Sequence, residues 1–211
     1  ATVAQEEASL QGASEQIASQ LDVSLTEKGQ TVGLWAKTHG IDDHGSPEQR
    51  SAVRSFVLST DFSGASVIAT NGTMTAFHAQ GTSSARSRDL IGQSFDDRAY
   101  FQRAMDGETY VSDPVEAESG NFIVTVSAPI RDDGEIVGTF NAAFHPRRGD
   151  LFGPLRTRSG SSEGVLVVAN GTSVYQDGPR PESDGALAVS NATVSRTGWT
   201  VSVTQSETVV Q

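Results

Sequence analysis

From residue 1 to 38 the chain contains no proline and places Val3, Leu10, Ile17, Leu21, Leu25, Val32 and Trp35 at spacings of three, four and seven. Those spacings line one face of an α-helix. They predict a long amphipathic helix that stops at His39-Gly40, where glycine accepts a left-handed cap. The apolar stripe must pack on its own domain, on a second copy of the helix, or on both. A second helix start stands at Ser46-Pro47-Glu48-Gln49. Ser46 is the cap, Pro47 suits the first helical position, and Gln49 completes a capping box. Val53, Phe56 and Val57 form the buried face of this helix, which ends near Asp61-Phe62-Ser63-Gly64.

Beyond Gly64 the period changes from 3.6 to 2. Ser66 to Thr70 and Thr73 to Phe77 flank Asn71-Gly72, a dipeptide that readily takes positive φ at both centres of a hairpin turn. Residues 89 to 106 read as loop and then short helix. Thr109 to Val115, Phe122 to Ile130 and Glu135 to Phe144 read as three more strands, the last two joined by Arg131-Asp132-Asp133-Gly134. Helices at the front and strands behind them describe an α+β fold around an antiparallel sheet.

Val165 to Ala169, Asn170-Gly171, and Thr172 to Tyr175 repeat the first hairpin pattern 99 positions later. A recurrence at that spacing predicts a second, abbreviated copy of the same fold, closed by strands over Ala186 to Ser195 and Trp199 to Thr204. Three segments follow: 1–45, a long helix and connection; 46–148, the larger sheet domain; and 149–211, a smaller unit. Asn-Gly turns are common in β-rich chains, which is the plainer reading of the repeat.

Composition narrows the partners. The chain has 211 residues, Lys+Arg 15 against Asp+Glu 26, a net charge of -11 and no cysteine. That balance argues against nucleic acid and against an anionic membrane surface, both of which need clustered cations. The lack of cysteine removes disulfides, thiolate nucleophiles and cysteine-ligated zinc. Lys28 and Lys37 are the only lysines. An acidic, lysine-poor chain fits either a protein kept soluble in high salt, as in haloarchaea, or an acidic domain from a G+C-rich genome. No stretch reaches the roughly 20 apolar residues of a membrane span, and the opening at Ala1-Thr2-Val3 reads as an excised soluble portion.

Candidate chemistry concentrates between Ile91 and Pro114. Arg98 stands just ahead of the aromatic pair Tyr100-Phe101, and Tyr110 follows on the next strand. A guanidinium offers a planar donor fork for a carboxylate and stays charged, while the aromatic rings supply apolar walls. The competing reading pairs Arg98 with Asp96 or Asp97 at the surface and uses Phe101 and Ala104 for packing. His39, His44, His78 and His145 show no metal-ligand spacing. No Gly-x-Ser-x-Gly elbow and no lysine-bearing phosphate loop occurs. Catalysis, metal and cofactor therefore have no support. Asn71, Asn170 and Asn191 open sequons that an exported domain could glycosylate, though turn geometry already accounts for the first two.

Several motifs in order carry a resemblance: Arg98 ahead of Tyr100-Phe101, then Ala104 and Gly107, Tyr110-Val111-Ser112, Ser127-x-Pro129-Ile130, and Gly134-x-Ile136-x-Gly138. This run resembles the extracytoplasmic Cache sensor domains, PAS-like in fold, of membrane histidine kinases and chemoreceptors. The second hairpin and the Gly198-Trp199 strand are similar to the membrane-proximal half of double-Cache proteins. The resemblance implies a non-catalytic sensor domain that binds a small polar ligand, a carboxylate or an amino acid, anionic by the charge of Arg98. It also implies membrane tethering through segments outside this sequence. It assigns the ligand carboxylate to Arg98, pocket walls to Tyr100 and Phe101, and neighbouring positions to Tyr110, Ser112 and Asp113. Thr125 or Ser127 would point inward from the next strand, since alternation admits one parity. Amino-acid-binding members place an Asp on the last strand. Here Ala143 takes that position with Asn141 nearby, and Tyr100 replaces a frequent Trp, which favours a carboxylate or another small polar molecule. The alternative is a ligand-free module that dimerises through the N-terminal helix or docks a protein; a secreted enzyme ranks last.

Overall fold

The computed structural model describes residues 2–116, 122–147, 150–156, 162–180 and 186–206. Contacts divide the chain into one unit of Glu27–His145 and another of Ala1–Thr26 with Pro146–Gln211. The first helix, α1 (Val3–Trp35), contributes residues to both. Its predicted stripe is buried at Leu10, Ile17, Leu21, Leu25 and Val32, so those side chains are covered within a single chain. Among the described large apolar residues of α1, Val23 and Leu34 are exposed, at 56% and 69%.

In the unit of Glu27–His145, α2 (Pro47–Ser59) starts as its sequence predicts. Ser46 Oγ accepts the Gln49 N–H at 2.9 Å, and Pro47 occupies the first turn. The reciprocal half of the capping box does not form. Gln49 Oε1 accepts the Gly45 N–H at 3.0 Å and the Thr75 hydroxyl at 2.9 Å, while its Nε2 donates to Ile41 O. The buried amide thus ties the connection before α2 to the sheet.

That sheet comprises β1 (Gly64–Ala69), β2 (Met74–Ala79), β3 (Tyr110–Val111), β4 (Val115–Glu116), β5 (Phe122–Asp132) and β6 (Glu135–Phe144). The order is β2-β1-β6-β5-β3, with β4 also on β5, and every pairing is antiparallel. Two short helices, α3 (Ser84–Leu90) and α4 (Ala99–Met105), lie between β2 and β3. Only the second is foreseen by the sequence pattern.

Alternation gives the two sheet faces different work. Val124, Val126, Ala128 and Ile130 of β5 are buried together with Phe140, Ala142 and Phe144 of β6. Phe56 of α2 meets Phe140 edge-on at 5.0 Å, Trp35 meets Phe56 at 5.4 Å, and Phe62 meets Phe144 at 5.9 Å. Lys28 completes this layer. Its ammonium lies 4.8 Å and 4.7 Å from the Phe62 and Phe144 ring centres and 2.6 Å from Asp61 Oδ2. The opposite face carries Thr125, Ser127, Thr139, Asn141 and Ala143. It is covered in part by a cluster of Ile68, Met74 and Phe101.

The second unit has a 3-10 turn (Asp150–Phe152), α5 (Gly153–Arg156), β7 (Glu163–Ala169), β8 (Thr172–Asp177), β9 (Ala186–Thr193) and β10 (Thr200–Ser206). Its order, β8-β7-β10-β9, reproduces the path β2-β1-β6-β5. The 99-residue recurrence is therefore a recurrence of topology. Trp199 is buried, Phe152 stacks on Tyr175 at 4.6 Å, and Ser14 Oγ lies 3.2 Å from Ser190 Oγ. Asp22 Oδ1 accepts the Arg196 N–H at 2.7 Å, fixing a loop against α1.

The two Asn-Gly turns differ. Asn170 and Gly171 both have positive φ, 46° and 79°, between the directly paired Ala169 and Thr172. That is the two-residue turn expected of this dipeptide. At the first hairpin only Gly72 has positive φ, 81°, and Asn71 Oδ1 accepts the Thr73 N–H at 3.0 Å. The sequence expectation of two left-handed centres is corrected there.

Candidate functional site

The segment from Ile91 to Arg98 holds the cover in place over the polar face of the larger sheet. Gly92 N–H donates to Met74 O at 2.9 Å, Met74 N–H to Gln93 O at 3.0 Å, and Phe95 N–H to Gly72 O at 2.8 Å. A Cβ added at Gly72 would come within 2.5 Å of Asp96 Cβ, so this close approach requires glycine there. The segment consequently runs along the hairpin edge and delivers α4 onto the sheet.

Between cover and sheet lies a cavity of about 380 Å³. Ser66, Asn141, Thr125, Ile123 and Ala143 form its sheet side; Met74, Phe77, Leu90, Phe95 and Tyr100 form apolar walls; His145, Gln80 and Thr82 stand among its other lining residues. Among the described residues, none that lines it is Asp, Glu, Lys or Arg. Its volume falls at the lower end of small-molecule sites, which span about 300–1,000 Å³.

A single cross-strand row sets the chemistry of the sheet side. Phe77 pairs with Ser66, Ser66 with Asn141, Asn141 with Ser127, and Ser127 with Tyr110. Asn141 Nδ2 donates to Thr139 O at 3.3 Å and reaches Thr139 Oγ1 at 3.1 Å. A main-chain carbonyl only accepts, so this bond fixes the orientation of the amide. Asn141 Oδ1 and Ser127 Oγ are both buried and have no hydrogen-bond partner within the protein. Thr125 and Ser127 share one parity, so the choice between them expected from alternation does not arise.

Burial raises the pKa of the Tyr100 hydroxyl above its usual value of 10.0; Arg98 works against that rise and Asp97 adds to it. Arg98 itself stands at the N-terminus of α4. Its side chain is 55% exposed, with Nε 3.5 Å from Asp97 Oδ1, and it does not line the cavity. Phe101 is buried in the packing cluster beneath the cover. Tyr110 has its ring 5.7 Å from the Arg103 guanidinium carbon. Ser112 Oγ donates to Asp113 O at 2.8 Å and accepts the Thr125 N–H at 2.9 Å, so its hydroxyl serves strand pairing. Asp113, like Phe101, Tyr110 and Ser112, is outside the lining.

Of the nine residues singled out by sequence, Tyr100, Thr125 and Asn141 meet at the cavity, with Ser127 beside Asn141. Sequence reasoning did not single out Ser66, Phe77, Leu90, Phe95 or His145. The parity of β1 and β2 carried the signal for Ser66 and Phe77. Leu90 and Phe95 gave none, because they lie at a helix end and in irregular chain.

A family model described as a Cache domain, dCache_1, matches residues 1–211. Among solved structures, the ligand-binding domain of the Pseudomonas aeruginosa PAO1 amino acid chemoreceptor PctB, in complex with L-Arg, is similar with a TM-score of 0.68 at 16% identity. The match covers 95% of each chain. The sensor domain of the V. cholerae histidine kinase DctB gives a TM-score of 0.66 at 13% identity, covering 91% of this chain and 93% of that one. The ligand-binding domain of the Campylobacter jejuni chemoreceptor Tlp3, in complex with 4-methylisoleucine, gives 0.65 at 10% identity, covering 96% and 90%. No curated protein matches the chain.

Proposed function

The chain belongs to the Cache domain family, and from that membership we propose that it is a sensor domain that binds a small molecule in the cavity of its Glu27–His145 unit. It passes the bound state to a kinase or chemotaxis output across a membrane, which puts the domain on the extracytoplasmic side. The observation that carries this reading is the cavity of about 380 Å³ on the polar face of the sheet; Tyr100, Thr125 and Asn141, which line it, are the ligand contacts this reading assigns. The amino acid chemoreceptor and histidine kinase sensor domains of similar fold support it. A ligand that favours one arrangement of the α3–α4 cover over the sheet shifts the population of that arrangement.

A thermal-shift screen of small metabolites on the isolated domain tests the reading, run beside Ala143→Leu, which fills the cavity from its sheet side. A ligand of this site stabilises the parent and loses its effect on the variant. Equal stabilisation of both, or no stabilising compound at all, overturns the assignment.

One observation favours a second reading, a carboxylate held at Arg98. That guanidinium is close enough to Tyr100 to act on its hydroxyl, so an anion bound by Arg98 would lie beside a cavity wall. Arg98→Ala then removes the stabilisation given by carboxylates, and an unchanged response excludes the role.

A further inference from the structure

Building on the sensing reading above, we infer that the ligand of this cavity is an uncharged, largely apolar molecule that delivers one N–H or O–H group to Asn141 Oδ1. Three independent features of the site converge on that chemistry.

The first is the lack of a carboxylate, ammonium or guanidinium among the described residues of the lining. No Asp, Glu, Lys or Arg is among the described residues that line the cavity, and Arg98 stands outside it, facing Asp97. An ammonium or carboxylate taken to the sheet would shed its water with no opposite charge to meet it. The upward pKa of Tyr100, caused first by burial, reports the same low polarity at the wall.

The second is the handedness of the hydrogen bond. Thr139 O holds the donor end of the Asn141 amide, so the end left unpartnered is an acceptor, and the ligand must bring the hydrogen. Ser127 Oγ, directly across on β5 and also unpartnered, can accept from or donate to the same ligand group. His145 Nδ1 lies 3.4 Å from the carbonyl of Phe122.

The third is the wall. Met74, Phe77, Leu90, Phe95 and Ile123 present methyl, thioether and ring surfaces, which reward apolar area and do nothing for a zwitterion.

The test uses two matched sets of probes titrated into the ¹⁵N-labelled domain and followed by NMR. They are indole, benzofuran and L-tryptophan; and 2-phenylethanol, (2-methoxyethyl)benzene and L-phenylalanine. Within each set the ring is retained while the donor is removed or charges are added. Indole and 2-phenylethanol are expected to shift the Asn141 side-chain amide saturably. The donor-free analogues should bind about fivefold more weakly, the worth of roughly one net hydrogen bond, and the amino acids should not saturate. In Ser127→Ala, which removes an unpaired hydroxyl and leaves the packing intact, donor probes are expected to weaken and donor-free probes to hold. Asn141→Leu is expected to abolish the discrimination. Amino acids binding more tightly than their uncharged partners, or donor-free analogues binding equally well, overturn this ligand class and leave the sensing reading standing. Binding that survives Ala143→Leu, or no probe reaching cavity residues at all, overturns both.

Discussion

Ser127 and Asn141 face each other across β5 and β6 with one polar atom apiece, Oγ and Oδ1, buried and unpartnered in the protein. Leaving such a group without a bond costs about 1–3 kcal/mol. A fold that carries two of them side by side, one on a residue that lines the cavity and the other directly across from it, is less stable than it could be, at the place where a ligand would gain most. Ser127→Ala is therefore expected to raise the midpoint of urea unfolding, by about 1 kcal/mol in stability, while weakening donor probes. A lower midpoint would mean that the hydroxyl contributes to folding.

Tyr100 predicts an alkaline limit. Its folded pKa lies above the usual 10.0 because burial disfavours the phenolate. The stability held by the neutral hydroxyl is complete below the unfolded pKa near 10 and is lost as pH rises through the folded value, since the unfolded chain releases the proton first. Chemical unfolding measured from pH 8 to pH 11 should show this decline in the parent, with a shallower decline in Tyr100→Phe. Parallel curves would refute the assignment.

Lys28 predicts an unequal response to two substitutions. The side chain is 13% exposed and sits against Phe62 and Phe144, while Asp61, its ionic partner, is 53% exposed. A partly exposed ion pair contributes about 0–1 kcal/mol, and a desolvated cation over a ring up to about 2 kcal/mol. Lys28→Met keeps the stem and should cost about 1–2 kcal/mol; Lys28→Ala also opens a gap and should cost more. Urea midpoints at low and high salt check this, with little salt dependence expected. A loss that disappears in high salt would instead assign the stability to the Asp61 pair.

Gly72 predicts a local opening. With φ of 81° and Asp96 pressed against the position of its missing Cβ, Gly72→Ala incurs both backbone strain and a clash. Hydrogen exchange should accelerate at Met74, Gly92 and Phe95, whose amides join the cover segment to the hairpin. The core amides of β5 and β6 should keep their protection. Uniform acceleration would place the defect in the whole unit.

What the sequence made legible was what local chemistry writes. The stripe Leu10, Ile17, Leu21, Leu25 and Val32, the Ser46-Pro47 helix start, and the second Asn-Gly turn each depend on neighbours a few residues away, and each appears. Helix α3 buries no side chain and has no apolar period, so nothing in its pattern announces it. Arg98 was singled out for its charge, but the backbone at the start of α4 decides where that charge points. Sequence boundaries near residues 45 and 148 follow changes of period along the chain. The contacts group Ala1–Thr26 with Pro146–Gln211, and periodicity carries no information about which distant segments meet.

On β5 the residues that build the hydrophobic layer, Val124, Val126, Ala128 and Ile130, alternate one by one with those on the cavity side, Thr125 and Ser127. The cavity side and the hydrophobic layer thus draw on the same few residues of sequence yet take alternate positions. Thr125, Ser127 and Asn141 can therefore change without disturbing the layer against α2. A sheet of this kind can keep its architecture while the residues on its cavity side drift far apart.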